Sequence, residues 1–274
     1  MKPRELFYLL GFRPRPRVHP YEVATLDVAG EGPVEFARWL HPYEKPKGVD
    51  AAAVAELRRY IAPGDVAIDI GAHTGDSTVP MALAAGAEGC VLAFEPNPYV
   101  FPVLEENARR NRDRTHILPL MFAATPSAGE FEFNYSDAGF CNGGMHDGIA
   151  RWRHGHAFRL TVRGENLQAY MEREHLHLVR RLRFVKVDAE GFDHAILESI
   201  AGLLRAQRPF VKAEVFKHLD LERRRAFYDF LVDLGYEVFR VASDANYRGE
   251  RLDRDGLMAH RHYDVFCVPA TDGA

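Results

Sequence analysis

The chain has 274 residues, 47% hydrophobic and 27% charged, with a formal net charge of −4. That length buries one good core, or one core with a small appendage, and the acidic balance offers no basic field, which disfavours a nucleic-acid partner. Its three cysteines, Cys90, Cys141 and Cys267, lack metal-type or redox-type spacing and suit a reducing, cytoplasmic setting better than a disulfide framework.

Within the opening residues 1–11, the apolar patch Leu6–Leu10 is too brief to span a bilayer and is followed by no cleavage region, so a soluble protein with no membrane span is expected. Arg13-Pro-Arg-Pro-Arg17 cannot be helical throughout, and Tyr21–Trp39 reads as short strands around the turn Gly30-Glu-Gly-Pro33. Residues 1–48 therefore read as an N-terminal extension, either a lid or an arm between the copies of a homodimer, and residues 49–274 as the main domain.

From Val49 onward the pattern alternates. A packing helix, Ala51–Ile61, precedes apolar runs at Val66–Ile70, Val91–Phe94, Ile117–Ala123, Phe184–Val187 and Phe210–Val215. Helical segments lie between most of them, at Ser77–Ala85, Pro98–Asn111, Glu165–Glu174 and Phe192–Leu204. Such alternation predicts an α/β fold with parallel strands, right-handed crossovers and helices on both faces. At the far end a helix, Arg223–Leu234, stops at Gly235 and is followed by strands Tyr236–Val241 and Val265–Val268, for seven strands in all. The polar, glycine-containing segment Asn134–His156 is long enough to be a functional loop reaching over the sheet.

The strand Val66–Ile70 ends in Asp69 and runs into Gly71-Ala-His-Thr-Gly75, a turn that delivers a helix to a nucleoside ligand. The next strand closes with Glu95, at the interval that places an acid beneath a ribose. A dinucleotide fingerprint counted from Gly71 would need glycines at His73 and Asp76, so the pattern serves a pyrophosphate poorly. S-adenosylmethionine asks only for a tight turn, an acid near its ammonium and an acid for both ribose hydroxyls.

These motifs resemble the class I S-adenosylmethionine-dependent methyltransferases, and more narrowly the FkbM family. The resemblance rests on Asp69-Ile-Gly-Ala-His-Thr-Gly75, Phe94-Glu-Pro-Asn97, Lys186-Val-Asp-Ala-Glu-Gly191 and Arg208-Pro-Phe-Val-Lys-Ala-Glu214, with His73 standing where the family usually has Asn. It implies a Rossmann-like, mostly parallel seven-stranded sheet with one antiparallel strand, and O-methylation of a sugar, glycan or natural-product hydroxyl. An NAD-dependent oxidoreductase on a similar sheet and a non-catalytic cofactor-binding protein are the other classes to weigh. The failed glycine pattern argues against the first, and the intact acids at 69, 95, 188 and 190 against the second.

The expected cofactor contacts are Asp69 at the methionine part, the turn Gly71, Ala72, His73, Thr74, Gly75, Asp76 and Ser77, and Glu95 at the ribose, with Pro96 and Asn97 beside it. Phe122 and Ala123 would form the adenine slot. The block Lys186–His194 concentrates ionisable groups at one strand end, where a general base is needed for an acceptor hydroxyl. The catalytic candidates are therefore Asp188 and Glu190, with Lys186 and Glu214 beside them and His146 in reserve; Asp188 also serves as a cofactor contact. No spacing marks a metal site, although Asp188, Glu190 and Glu214 form a set of oxygen ligands suited to a hard cation.

Overall fold

The computed structural model describes Phe12 and residues 14–141, 143–144 and 158–270. The N-terminal extension forms an antiparallel hairpin of β1 (Tyr21–Val28) and β2 (Gly32–Trp39), in register from Tyr21 opposite Trp39 to Val28 opposite Gly32. Gly30 and Gly32 take positive φ in the turn, a conformation that suits glycine. α1 (Ala51–Leu57) is capped by Asp50, whose carboxylate accepts from the Ala52 N–H.

Next come β3 (Val66–Ile70), α2 (Thr78–Ala85), β4 (Cys90–Phe94) and α3 (Phe101–Arg109), and then β5 (Ile117–Leu120). β3 and β4 are buried along their whole length, as strands covered on both faces must be. The third strand is shorter than the expected run to Ala123. Its Pro119 has no N–H to give, which suits an edge strand, and β5 is the sheet's edge. The chain turns where the Phe122 N–H donates to the Leu120 carbonyl, and it resumes as β6 (Ala123–Thr125) in a different sheet.

Of the loop expected over 134–156, residues 134–135 and 143–144 join that second sheet, and 142 and 145–156 lie outside the described residues. β7 (Gly129–Tyr135), β8 (Gly143–Gly144) and β9 (Phe158–Asn166) join β6 in the order β6-β9-β7-β8. Phe131, Phe133 and Tyr135 alternate along β7, the period of a half-covered strand. β9 also takes up Glu165, expected in a helix, and ends at Asn166, which caps α4 (Leu167–Glu174) by accepting from the Ala169 N–H.

After the short α5 (Leu176–Val179) come β10 (Leu182–Val187), the helices α6 (Asp193–Ser199) and α7 (Ala201–Gln207), and β11 (Phe210–Val215). The one helix expected over Phe192–Leu204 is thus broken at Ile200. α8 (Leu221–Asp233), β12 (Tyr236–Arg240) and β13 (Tyr263–Pro269) complete the chain. The main sheet has the order β12-β13-β11-β10-β3-β4-β5, with β13 alone antiparallel to its neighbours. One face packs on α4 to α8 around Ile68, Leu92 and Leu197, and the other on α1 to α3 and the hairpin around Phe36, Met81 and Phe266. No helix among the described residues is long and apolar enough to cross a membrane.

Buried Asn107 on α3 joins the hairpin to the glycine-rich turn. Its Oδ1 accepts from the Ala37 N–H at 2.7 Å, and its Nδ2 donates to the carbonyls of Ala37 at 3.0 Å and Thr74 at 2.7 Å. Asn107→Ala leaves these groups without partners, and we expect a loss of about 2–3 kcal/mol in urea denaturation.

Candidate active site

The carboxyl ends of β3, β4 and β10 meet at one point. Gly71 has φ +75°, and a Cβ there would lie 2.1 Å from the Asp188 carbonyl oxygen, so only glycine lets the two strand ends approach. Lys186 ties the junction from within. Its Nζ lies 3.2 Å from Asp69 Oδ1, 3.6 Å from Asp188 Oδ2 and 3.2 Å from the Gly71 carbonyl. Burial alone would depress this ammonium, but Asp69, then Asp188 and Asp76, outweigh it and raise its pKa.

Asp69 is completely buried and lines neither of the two cavities at this junction; its other oxygen accepts from Ser77 Oγ at 2.8 Å and Thr78 Oγ1 at 2.6 Å. Its contacts hold the start of α2 to the β3 end.

A cavity of about 550 Å³ opens at this junction. Glu95 forms part of its wall, with Oε2 accepting from the His73 N–H at 2.9 Å and Oε1 from the Asn97 N–H at 2.8 Å. Burial pushes the Glu95 carboxyl up to about 7, against the pull of the Asn97 and His73 N–H groups and the Lys186 charge. Phe122, Ala123, Phe133, Phe192 and Ile196 give the cavity apolar walls, and Gly71, His73 and Asp188 line it as well. Apolar walls with a few fixed polar groups suit a nucleoside.

Of the expected cofactor residues, Gly71, His73, Glu95, Pro96, Phe122, Ala123 and Asp188 line this cavity. Asp76 and Ser77 instead line a neighbouring one, and Ala72, Thr74, Gly75 and Asn97 lie behind the wall. Asn97 was expected to cap the next helix, but α3 begins at Phe101, and Asn97 Oδ1 holds the preceding turn through the Tyr99 N–H.

Among the catalytic candidates, Asp188 and Glu190 line the cavity and Lys186 the neighbouring one. Glu214, expected to face the same cleft, is buried away from both, with Oε1 2.7 Å from His262 Nε2. It makes no ion pair with Lys186, whose carboxylate partners are Asp69 and Asp188. His146 lies outside the described residues.

Sequence reasoning missed the contribution of the N-terminal extension. Tyr43, Glu44, Lys45 and Lys47 line the cavity, and Lys47 Nζ reaches Glu44 Oε1 at 2.9 Å, Asp76 Oδ1 at 3.1 Å and His73 Nδ1 at 3.2 Å. Burial, then Lys47, pushes the His73 imidazole down to about 4. No spacing in the sequence links Lys47 to the glycine-rich turn; the hairpin's packing brings it there.

Among the described residues, the one metal-type set with donor atoms all within 4.8 Å of one another is Glu44, His73 and Cys141. It does not fit a metal ion, because the Lys47 ammonium already sits against Glu44 and His73. The expected oxygen set Asp188, Glu190 and Glu214 does not converge in this way.

A seven-stranded sheet with one reversed strand, a glycine turn after a buried acid and a second acid on the next strand define the class I methyltransferase fold. Residues 69–248 match the methyltransferase FkbM domain family, and the chain belongs to that family. Hexuronic acid methyltransferase AglP of Haloferax volcanii is 28% identical over 156 residues; the match covers 57% of this chain and 58% of that protein's length. Among solved structures, the FkbM methyltransferase from Methylobacillus flagellatus is similar at 12% identity and a TM-score of 0.45, over 74% of this chain and 43% of that one. Aeropyrum pernix fibrillarin, in complex with S-adenosylmethionine, is similar at 14% identity and a TM-score of 0.43, over 93% of this chain and 85% of that one.

Burial raises four carboxyls at this end of the sheet: Glu190, and also Glu95 to about 7, Asp193 to about 8 and Glu214 to about 9. Each holds its proton longer in the folded chain than in the unfolded one, so the folded state binds more protons between the two pKa values and stability falls as pH rises. We expect the free energy of unfolding of the ligand-free protein to decline from about pH 7 to 9, above the range in which the lowered pKa of His73 acts in the opposite direction. Glu214→Gln removes one of these groups and flattens the decline; an unchanged slope would show that Glu214 titrates normally.

Proposed function

We propose that the protein transfers a methyl group from S-adenosylmethionine to a hydroxyl of a sugar or glycan. The observation that carries this reading is the Glu95 carboxylate, fixed by two N–H groups on the wall of a cavity lined by apolar side chains and by Gly71 and Asp188. The residues fit the cofactor. Each Glu95 oxygen keeps a lone pair for a ribose hydroxyl, Phe122 and Ala123 flank the place for adenine, and Gly71 and His73 border the amino-acid end. The carbohydrate acceptor is supported by the relative named for hexuronic acid.

Bound there, S-adenosylmethionine supplies an activated methyl group on a sulfonium sulfur. The chain's task is to align an acceptor hydroxyl and remove its proton, which is worth about 10²- to 10⁴-fold for a well-placed base. Asp188 borders both cavities and its side chain is half-exposed beside Lys186, so it is our general base. Glu190 borders the same cavity, and burial followed by Asp188 raises its pKa, which makes it the next proton acceptor in line.

Two outcomes follow. A ribose diol donates to ionised Glu95, so calorimetric affinity for S-adenosylhomocysteine rises between about pH 6 and 8, while Glu95→Gln binds at least about tenfold more weakly and loses the pH dependence. Equal affinity in the variant would take Glu95 out of the site. Asp188→Asn lowers kcat by about 10²-fold or more while S-adenosylhomocysteine affinity stays within a few-fold; full turnover would assign the base elsewhere.

A further inference from the structure

A second cavity, of about 400 Å³, adjoins the first. It lies among α1, the ends of β10 and β11 and the segment joining β12 to β13, and its walls include Asp50, Ala53, Lys186, Lys212, Asp244 and Tyr247. The two cavities share Lys47, Gly71, His73 and Asp188. A ligand in the second cavity therefore meets a nucleoside ligand in the first at the Gly71–Asp188 junction, where transfer has to occur.

The charges of this cavity decide what it can take. Each of its three ammonium groups is already matched to carboxylates. Lys47 lies 3.1 Å from Asp76, Lys186 lies 3.2 Å from Asp69 and 3.6 Å from Asp188, and Lys212 lies 3.2 Å from both Asp244 and Asp264. An anionic ligand would have to displace a carboxylate from one of these pairs, and a cationic ligand would have to displace an ammonium. An uncharged polyol disturbs neither, because each hydroxyl can accept from an ammonium and donate to a carboxylate of the same pair. Tyr247, Leu57 and Phe184 add apolar surface for the C–H faces of a sugar ring. The volume falls within the range of about 300–1,000 Å³ usual for small-molecule sites.

We propose that this second cavity is the acceptor subsite and that it takes an uncharged hexose unit, read by the Lys212–Asp244 pair and turned so that one hydroxyl reaches Asp188. The proposal rests on the methyl-transfer reading and adds to it the place and the charge of the acceptor.

The test uses the full chain, labelled S-adenosylmethionine, and the methyl glycosides of glucose, galactose, mannose and glucuronic acid. At least one neutral hexoside should be methylated in preference to the glucuronide. Ala53→Phe, which fills the cavity from α1, should lower that transfer by about 100-fold while calorimetric affinity for S-adenosylhomocysteine stays within about twofold of wild type. Lys212→Met should raise the hexoside KM by about tenfold and change kcat little. Hexoside transfer insensitive to both substitutions overturns the subsite and leaves the methyl-transfer reading standing. Methylation of the glucuronide alone overturns the neutral acceptor, and loss of S-adenosylhomocysteine binding in Ala53→Phe, with its melting temperature unchanged, gives the cavity to the cofactor instead. Transfer to none of the glycosides overturns the proposal together with the sugar acceptor, while intact S-adenosylhomocysteine binding would keep the cofactor assignment.

Discussion

The buried ion pair between Lys186 and Asp69 is the constraint on which the site depends. The two residues are paired in register on adjacent parallel strands, and the ammonium also reaches Asp188 and the Gly71 carbonyl. A lone charge in this position would cost several kcal/mol, and removing either partner of such a pair typically costs about 3–5 kcal/mol because the other is stranded. The pair therefore requires the β3 and β10 ends to stay together, and the close approach of Gly71 to the Asp188 carbonyl follows from the same geometry. The glycine-rich turn and the acidic strand end, far apart in the chain, thus become neighbouring borders of the two cavities.

Around that fixed point the polar groups are divided by burial. Asp69 has its charge balanced by Lys186 and its Oδ2 held by two hydroxyls, so it acts as a strut. Glu95 is held by backbone N–H groups with lone pairs to spare, and burial raises its pKa towards neutrality, which leaves it poised to gain from a hydroxyl donor. Asp188 keeps half its side chain exposed. Three acids that look alike in the sequence are thereby given three environments by their depth below the cavity floor.

The N-terminal extension borders the same cavity. The Asn107 bridge sets β2 against the glycine-rich turn, and the chain then passes through Tyr43 to Lys47 along the cavity wall. The His41–Asp137 contact, at 3.2 Å, joins this extension to the segment after β7, and Asn97 Nδ2 holds the Phe140 carbonyl of that segment at 2.7 Å. The cavity mouth is therefore built from pieces on either side of the central strands in the chain.

Much of this was legible from local pattern. Val66–Ile70 and Cys90–Phe94 are short apolar runs with turn residues behind them, and the acids Asp69 and Glu95 stand out because an acid in such a run needs a reason. The Lys186–Gly191 block was likewise visible. Glu214 was misplaced because strand parity brings a side chain to an end of the sheet without saying what packs over it, and His262 covers it. Lys47 and Tyr247 carried no local signal, and Lys212 stood within the Arg208–Glu214 motif with no role marked, since their neighbours come from distant parts of the chain. The sequence by itself determined the strand–turn–helix units, the positions of the acids and the family, because apolar period, glycine and charge act over a few residues. Tertiary structure alone decided which acids face a cavity and which are struts, that the extension lines the first cavity, and that a second cavity meets the first at Asp188, because burial and charge pairing depend on every element packed around a side chain.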